Sequence, residues 1–286
     1  MAVPVRLLSA AWDSGVPGAR MGAGPTALLR AGAADRLRAR GSRVTEVVLG
    51  PSSDWQAELR TAFELQRAVA RSAAAAHAGG ELPLLLSGDC HLTLGMVAAL
   101  QARGARVGLL WLDAHGDLNT PDVDPGAYLD GQGLAMVLGR CWRAATGTVP
   151  GSAPLPEEQV VLVGARDLDP PELAALDGSA LRWLRPEQAR DPAAVDDALA
   201  ALAPRVDVVH LHVDLDVYDP SIAPANGYAA PDGLSAADVL RIARRAAAAA
   251  PLGSATLASY DPSFDPAGRL RDTALELLEV VAGLAG

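Results

Sequence analysis

Acidic, imidazole and thiol side chains gather at three points of this chain, each directly after an apolar run. Trp111-Leu112-Asp113-Ala114-His115-Gly116-Asp117-Leu118-Asn119 carries a Val- and Leu-rich segment into polar residues at every second position. In an extended chain that alternation turns Asp113, His115 and Asp117 to one side. A second run, Val206 to Val213, leads into Asp214-Leu215-Asp216 and then Asp219-Pro220, repeating the two-residue spacing. A third ends at Ser87-Gly88-Asp89-Cys90-His91. Carboxylates that converge at the ends of buried strands repel one another and lose solvation unless cations neutralise them. A metal centre is therefore the chemistry this pattern suits. Mostly oxygen donors with one or two nitrogens favour manganese or a similar divalent ion over zinc, and the acids suffice for two ions if some carboxylates bridge. The competing reading is a set of solvated loop-end acids paired with arginines. It explains one Asp-x-Asp well and two such segments at strand ends poorly. His210 and His212 share the face of Asp214 by parity and are assigned to packing or to support of the ligands rather than to ligation. His77, in an Ala-rich helix, is a bystander, and Cys141 is a core thiol.

The elements that must position these groups follow from periodicity. Short Val- and Leu-rich runs alternate with segments of helical period, the signature of a parallel sheet covered on both faces. Eight strands are expected, at Val5–Ser9, Val44–Leu49, Leu84–Ser87, Val107–Leu112, Val160–Gly164, Leu181–Leu184, Val206–Val213 and Ala255–Ser259. Helices are expected over Gly24–Arg40, Gln56–His77, Thr93–Arg103, Gly131–Ala145, Pro192–Leu202, Ser235–Ala249 and from Arg271 to the end. Pro25 suits a first helical position, and Ser235 with Asp238 reads as an N-cap with an acid in the first turn. Two irregular stretches, Asn119–Asp130 and Pro220–Gly233, follow strands, where a parallel sheet places its ligand site.

Composition bounds the rest. With 286 residues, half of them apolar, the chain can bury one large core, and a single domain over residues 1–286 is expected. No apolar run reaches the roughly 18 residues that span a bilayer, and Pro4 and Arg6 interrupt the N-terminal segment. Two cysteines make no disulfide framework. A cytoplasmic protein without a membrane partner is expected. A formal charge of -10 argues against nucleic acid. All 24 basic residues are arginine.

At the metal-type segments the sequence resembles the ureohydrolase superfamily, which contains arginase, agmatinase and formimidoylglutamase. The family's Asp-Ala-His-x-Asp-x-Asn stands here as Asp113 to Asn119, and its Asp-x-Asp-x-x-Asp-Pro as Asp214, Asp216, Asp219 and Pro220. Gly22-Ala23-Gly24-Pro25, with Leu28 and Gly32, is similar to the family's N-terminal segment. The resemblance implies a three-layer α/β/α sandwich around an eight-stranded, mostly parallel sheet, with two Mn2+ ions at its carboxyl edge. Carried over residue by residue, it implies that Asp113 and Asp214 bridge the metals. Cys90 and Asp117 then complete one site, and His115 and Asp216 the other. It also implies a hydroxide attacking a guanidinium carbon, with Asp117 as the proton carrier. Arg166, Asp167, Asp169, Pro170 and Glu172 match a segment that arginases carry more than agmatinases do. By that resemblance Asp169 and Glu172 receive a substrate α-ammonium and Asn119 holds its α-carboxylate, so a free amino acid is expected. The plain alternative for Asp169 and Glu172 is a pair of helix N-terminal acids.

Three departures from the family pattern stand beside the matches. The metal-binding histidine of Gly-Gly-Asp-His is Cys90, with His91 one residue late; the alternative to a thiolate ligand is an inert thiol with His91 in its place. The acid of Glu-x-Asn-Pro near the last strand is Ser259, and the histidine of a later His-Gly is Asp130. Losing a guanidinium-pairing acid costs less for an N-hydroxylated, less basic guanidine. The pattern is similar to the N-hydroxyarginine-cleaving branch known from D-cycloserine biosynthesis, with hydroxyurea and ornithine as products. The alternatives are an L-arginase giving urea and ornithine, and a non-catalytic binding protein on the same scaffold. An extended tail builds many arginase trimers; this sequence ends close after its last expected helix, so a monomer is expected.

Overall fold

The computed structural model describes residues 3–54, 57–124, 126 and 128–285. The expected helix start at Gln56, and positions 125 and 127 of the expected irregular stretch, lie outside them. Eight parallel strands form one sheet: β1 (Val5–Ala10), β2 (Val44–Val48), β3 (Leu82–Ser87), β4 (Val107–Leu112), β5 (Val160–Val163), β6 (Arg182–Leu184), β7 (Val208–Asp214) and β8 (Leu252–Ala258). Their order is β2-β1-β3-β8-β7-β4-β5-β6, with every neighbouring pair parallel. Parallel strands need crossovers, and the intervening helices cover both faces. The expected three-layer α/β/α architecture is the one observed.

Both faces are apolar because alternate residues of one strand enter different cores. Leu84, Leu86, Leu110, Leu112, Leu211 and Val213 pack with helices Ala33–Ala39, Pro192–Leu202, Ala236–Ala249 and Arg269–Leu284. Their alternates Leu85, Leu109 and Trp111 face helices Glu58–Ala78, Thr93–Gln101 and Gly133–Val137. This two-sided burial accounts for the continuous apolar runs. Ser235 caps its helix as expected, and Asp238 reaches back to complete a capping box.

Several boundaries differ from expectation for local reasons. The helix expected over Gly24–Arg40 is two, Gly24–Arg30 and Ala33–Ala39, because Gly32 takes a φ of 92° that a helix interior does not accommodate. The helix expected over Gly131–Ala145 is likewise reduced to Gly133–Val137 and Arg143–Thr146, separated by Gly139 at φ 70° and Trp142 at φ 51°. Short helices at Pro170–Asp177 and Pro186–Arg190 add to the helices expected from periodicity, the first being the one that the plain alternative for Asp169 and Glu172 requires; each has a proline in its first turn. Strand β8 stops one residue before Ser259, which has a φ of 63°.

Candidate metal and substrate site

The carboxyl ends of β3, β4, β7 and β8 are neighbours in the sheet, so residues following them meet in one place. Adjacent strand order puts Asp113 and Asp214 side by side, since Leu112 pairs with Val213. A cavity of about 310 Å3 opens there, lined among others by His115, Asp117, Asp214, Asp216 and Ser259 on its floor and Asn119, Asp169 and Glu172 on its wall. All the sequence-nominated ligands lie in or beneath it.

The expected alternation holds only in part. Strand β4 ends at Leu112, and Asp117 has a left-handed φ of 51°, so a turn rather than a pleat returns it to the site. The turn is held from outside: Glu172 Oε1 accepts the Gly116 and Leu118 amides at 3.1 and 3.4 Å. A Cβ at 116 would lie 2.7 Å from that same oxygen, so a larger residue there would push the Glu172 carboxylate off the turn. Asp113 is fixed by Trp111, whose indole N–H donates at 2.9 Å, and by the His115 amide at 2.8 Å. Asp214 closes a short turn by accepting the Asp216 amide at 2.8 Å, and Asp216 accepts the Ala114 amide at 3.1 Å.

Two groups of donors emerge. In the outer one, His115 Nδ1 lies 3.4 Å from Asp113 Oδ1 and 3.3 Å from Asp216 Oδ2. In the inner one, one donor atom each from Cys90, Asp113 and His212 lies within 4.8 Å of the others. Cys90 Sγ is also 3.0 Å from Asp214 Oδ2 and 3.1 Å from Ser259 Oγ. His91 turns elsewhere: its Nε2 is 3.3 Å from Asp89 and its Nδ1 3.3 Å from Gln66. It does not replace Cys90. His210 is bound between Ser254 and Thr256 within the core, whereas His212, expected to pack or support, stands among the candidate donors.

The electrostatics are those of a cation site. Burial pushes the Asp113, Asp117 and Asp214 carboxyls up, and repulsion from their neighbours pushes them further, with Asp216 acting on Asp113 and Asp214, and Asp113 on Asp117. Burial opposes charge on His115 too, but Asp216 and Asp113 outweigh it and raise the imidazole well above its usual range. Asp216 is the converse: His115 overcomes burial and lowers it. Asp117 Oδ2 is buried without a partner among the described residues, as is His212 Nε2. Acids that repel, an imidazole between two of them and two orphaned donor atoms fit a pair of divalent ions.

The wall of the cavity is equally ordered. Asp169 and Glu172 form a capping box on helix Pro170–Asp177, so the expected alternative role as helix-end acids is real. Both still line the cavity, with Asn119 Nδ2 donating to Asp169 Oδ2 at 2.9 Å. Asp130 accepts the Cys90 amide. Sequence reasoning missed Trp111 and Asn226, whose amide donates to Ser259 O at 2.9 Å and to Asp216 at 3.4 Å. It also missed Tyr128 and Tyr228, whose rings lie 5.7 Å apart at the cavity. Asn226 and the tyrosines sit in irregular segments, where periodicity carries no signal.

A parallel α/β sheet with an acid-rich site at its carboxyl edge defines the class of molecule, and comparison with known proteins makes it specific. The Arginase family profile matches residues 3–284. Arginase of Bacillus caldovelox is 30% identical over 207 residues, 71% of this chain and 69% of the relative. The N(omega)-hydroxy-L-arginine amidinohydrolase of Streptomyces lavendulae is 31% identical over 205 residues, 72% and 70% of the two chains. The crystal structure of arginase from Bacillus cereus superposes with a TM-score of 0.87 at 27% identity, covering 98% of each chain. The chain belongs to the arginase family, hydrolases that act on amidino groups. Among the described residues no helix is long and apolar enough to cross a membrane.

Proposed function

We propose that this chain is a binuclear metallohydrolase that cleaves the guanidino group of a free arginine-type amino acid, with N-hydroxy-L-arginine as the favoured substrate. The observation that carries this reading is the pairing, in one cavity, of an acid-lined metal floor with a wall built from Asn119, Asp169 and Glu172. Cys90, Asp113, His115, Asp117, Asp214 and Asp216 would hold two divalent ions, and a mostly oxygen donor set favours Mn2+. When bound, such a pair supplies a nucleophilic water near neutral pH.

Each remaining role belongs to the chain itself. Asp169 and Glu172 receive the substrate α-ammonium and Asn119 the α-carboxylate, which orients the guanidino end toward the floor. Asp117 would hold an ion with one carboxylate oxygen and, with the other, take a proton from the water and deliver it to the leaving amine. Ser259 stands at the end of the cavity with a hydroxyl in place of a carboxylate. A hydroxyl cannot neutralise a fully charged guanidinium, but it can hydrogen-bond an N-hydroxy group. The named activity of the Streptomyces lavendulae relative supports the hydroxylated substrate and that of the Bacillus caldovelox relative supports arginine.

The test is kcat/KM for ornithine release from both substrates after loading with Mn2+ alone and, in parallel, with Mn2+ and Co2+ together. Preference for N-hydroxy-L-arginine is the expected result. Equal efficiency on both would remove the role given to Ser259, and no turnover of either would overturn the reaction.

A further inference from the structure

Cys90 leaves the inner half of the centre without the imidazole that a histidine there would supply, and a different strand brings one in. His212 lies on β7 two residues before Asp214, so both side chains leave the same face of the sheet. It is fully buried. Its Nδ1 is 2.7 Å from Thr93 Oγ1, and the ring stacks on Trp111 with centroids 3.7 Å apart. Thr93 therefore occupies one ring nitrogen and fixes the ring's rotation, while Nε2 is buried with no partner. Ligating histidines are held in this way, one nitrogen committed to an oxygen and the other kept for the ion. The stacked Trp111 is itself tied to Asp113, so the same indole orients two of the candidate donors.

We propose that His212 is a metal ligand: the inner ion is held by Cys90 Sγ, an Asp113 oxygen and the His212 nitrogen that Thr93 leaves free. This rests on the metal-centre reading above and changes its chemistry. A thiolate and an imidazole make the inner site softer than the outer one formed by Asp113, His115 and Asp216. The inner site takes a borderline ion such as Co2+ or Zn2+ in preference to Mn2+, and the outer site keeps the harder ion. The centre is heterometallic rather than a manganese pair. Cys90 binds as the thiolate, so each inner ion bound releases the thiol proton to solvent.

The experiment is a Co2+ titration of chelator-treated protein, read by absorption and by metal stoichiometry rather than by turnover. Wild type is expected to show a thiolate-to-cobalt charge-transfer band with one equivalent and to keep that band when excess Mn2+ is added. Cys90→Ser abolishes the band. His212→Gln weakens the equivalent that carries it by about 100-fold or more and alters the ligand-field bands, and Thr93→Val weakens it by about 10-fold through loss of ring orientation. An unchanged spectrum and affinity in His212→Gln would overturn the assignment and return His212 to packing. Circular dichroism of each metal-free variant checks the fold; if His212→Gln does not fold, the Thr93→Val titration decides, and unaltered cobalt affinity there overturns the proposal. The same samples are assayed for ornithine. A His212-dependent cobalt spectrum without ornithine release would end the reaction proposed above and leave this ligand assignment standing.

Discussion

Replacing Glu172 separates two functions that share one carboxylate. Its Oε1 accepts the Gly116 and Leu118 amides, Oε2 accepts the Asp169 amide at 3.3 Å, and the group also lines the cavity. Glu172→Ala strands buried amides on both sides of Asp117, at roughly 1–3 kcal/mol for each well-made bond. Because the Leu118 bond is long, a total of about 2–4 kcal/mol is expected, with a matching fall in thermal stability. Glu172→Gln keeps one carbonyl oxygen for the Gly116 and Leu118 amides, but its NH2 cannot accept the Asp169 amide, so it should cost about 1–2 kcal/mol while removing the charge that faces the substrate α-ammonium. A hydrogen bond to a charged group is worth about 1.5–3 kcal/mol, so kcat/KM should fall about 10- to 150-fold in the glutamine variant. The assay compares N-hydroxy-L-arginine with its analogue lacking the α-amino group. Only the amino acid should lose efficiency. An equal loss on both compounds would show that Glu172 acts through the Asp117 turn alone, and no loss on either would refute the substrate orientation.

Four further outcomes are expected. Chelation should lower the melting temperature, since an ion at 100 times its Kd stabilises by about 2.7 kcal/mol, and an unchanged melting curve would argue against a bound centre. Gly88→Ala places a Cβ 2.0 Å from the Trp12 carbonyl oxygen and should destabilise by about 1–3 kcal/mol or more on a denaturant melt. Burial lowers His77 to about 4 and His210 to about 3, so both fold neutral while the unfolded chain protonates them near 6.5. Their contribution is fully present above about pH 6.5 and is lost as pH falls toward those values, by up to about 1.4 kcal/mol per pH unit for a fully titrating group; His210→Asn should flatten the acid limb of the pH-stability curve. Cys90→His should abolish the thiolate-to-cobalt band without raising arginine turnover to the level of the hydroxylated substrate, because Ser259 is still present.

How much of this was legible depends on which force sets the position. The inner strands could be read because both faces of the sheet are covered there, so strand sequence is apolar without a break at Leu84–Leu86 and Leu109–Leu112, whereas the edge strands Val44–Val48 and Arg182–Leu184 are partly exposed and carry polar residues. Helix ends at Gly32 and Gly139 could not, since the left-handed φ that breaks each helix is permitted by glycine but not announced by it. The same holds in the site. The side that Asp117 faces is decided by a non-glycine residue at φ 51°, held by amides bonded to Glu172, some fifty positions away in sequence. Trp111 ends an apolar strand, and its bulk masks in sequence the one polar atom that reaches Asp113. Parity places His212 on the face of Asp214, but sequence carries no sign of its buried, unpartnered nitrogen or of its contact with Thr93, which only the fold supplies.

The three departures from the family pattern also take on meaning in space that they lack in sequence. Cys90, Asp130 and Ser259 are spread over 169 positions, yet the Cys90 thiol touches Ser259 Oγ and the Cys90 amide donates to Asp130. His212 joins the same cluster through the inner donor group. Decay of an abandoned active site would scatter substitutions over the cavity and leave buried charges unmatched, each at a cost of several kcal/mol. Here the Asp113, His115 and Asp216 donors, the Glu172 support of the Asp117 turn and the Asn119, Asp169 and Glu172 lining are all in place, and the three changes meet in one connected patch around Cys90. That confinement favours a retuned catalyst over a non-catalytic descendant: on the proposed reading the altered residues sit where ion preference and the reacting group would be decided, and the residues that position them are kept.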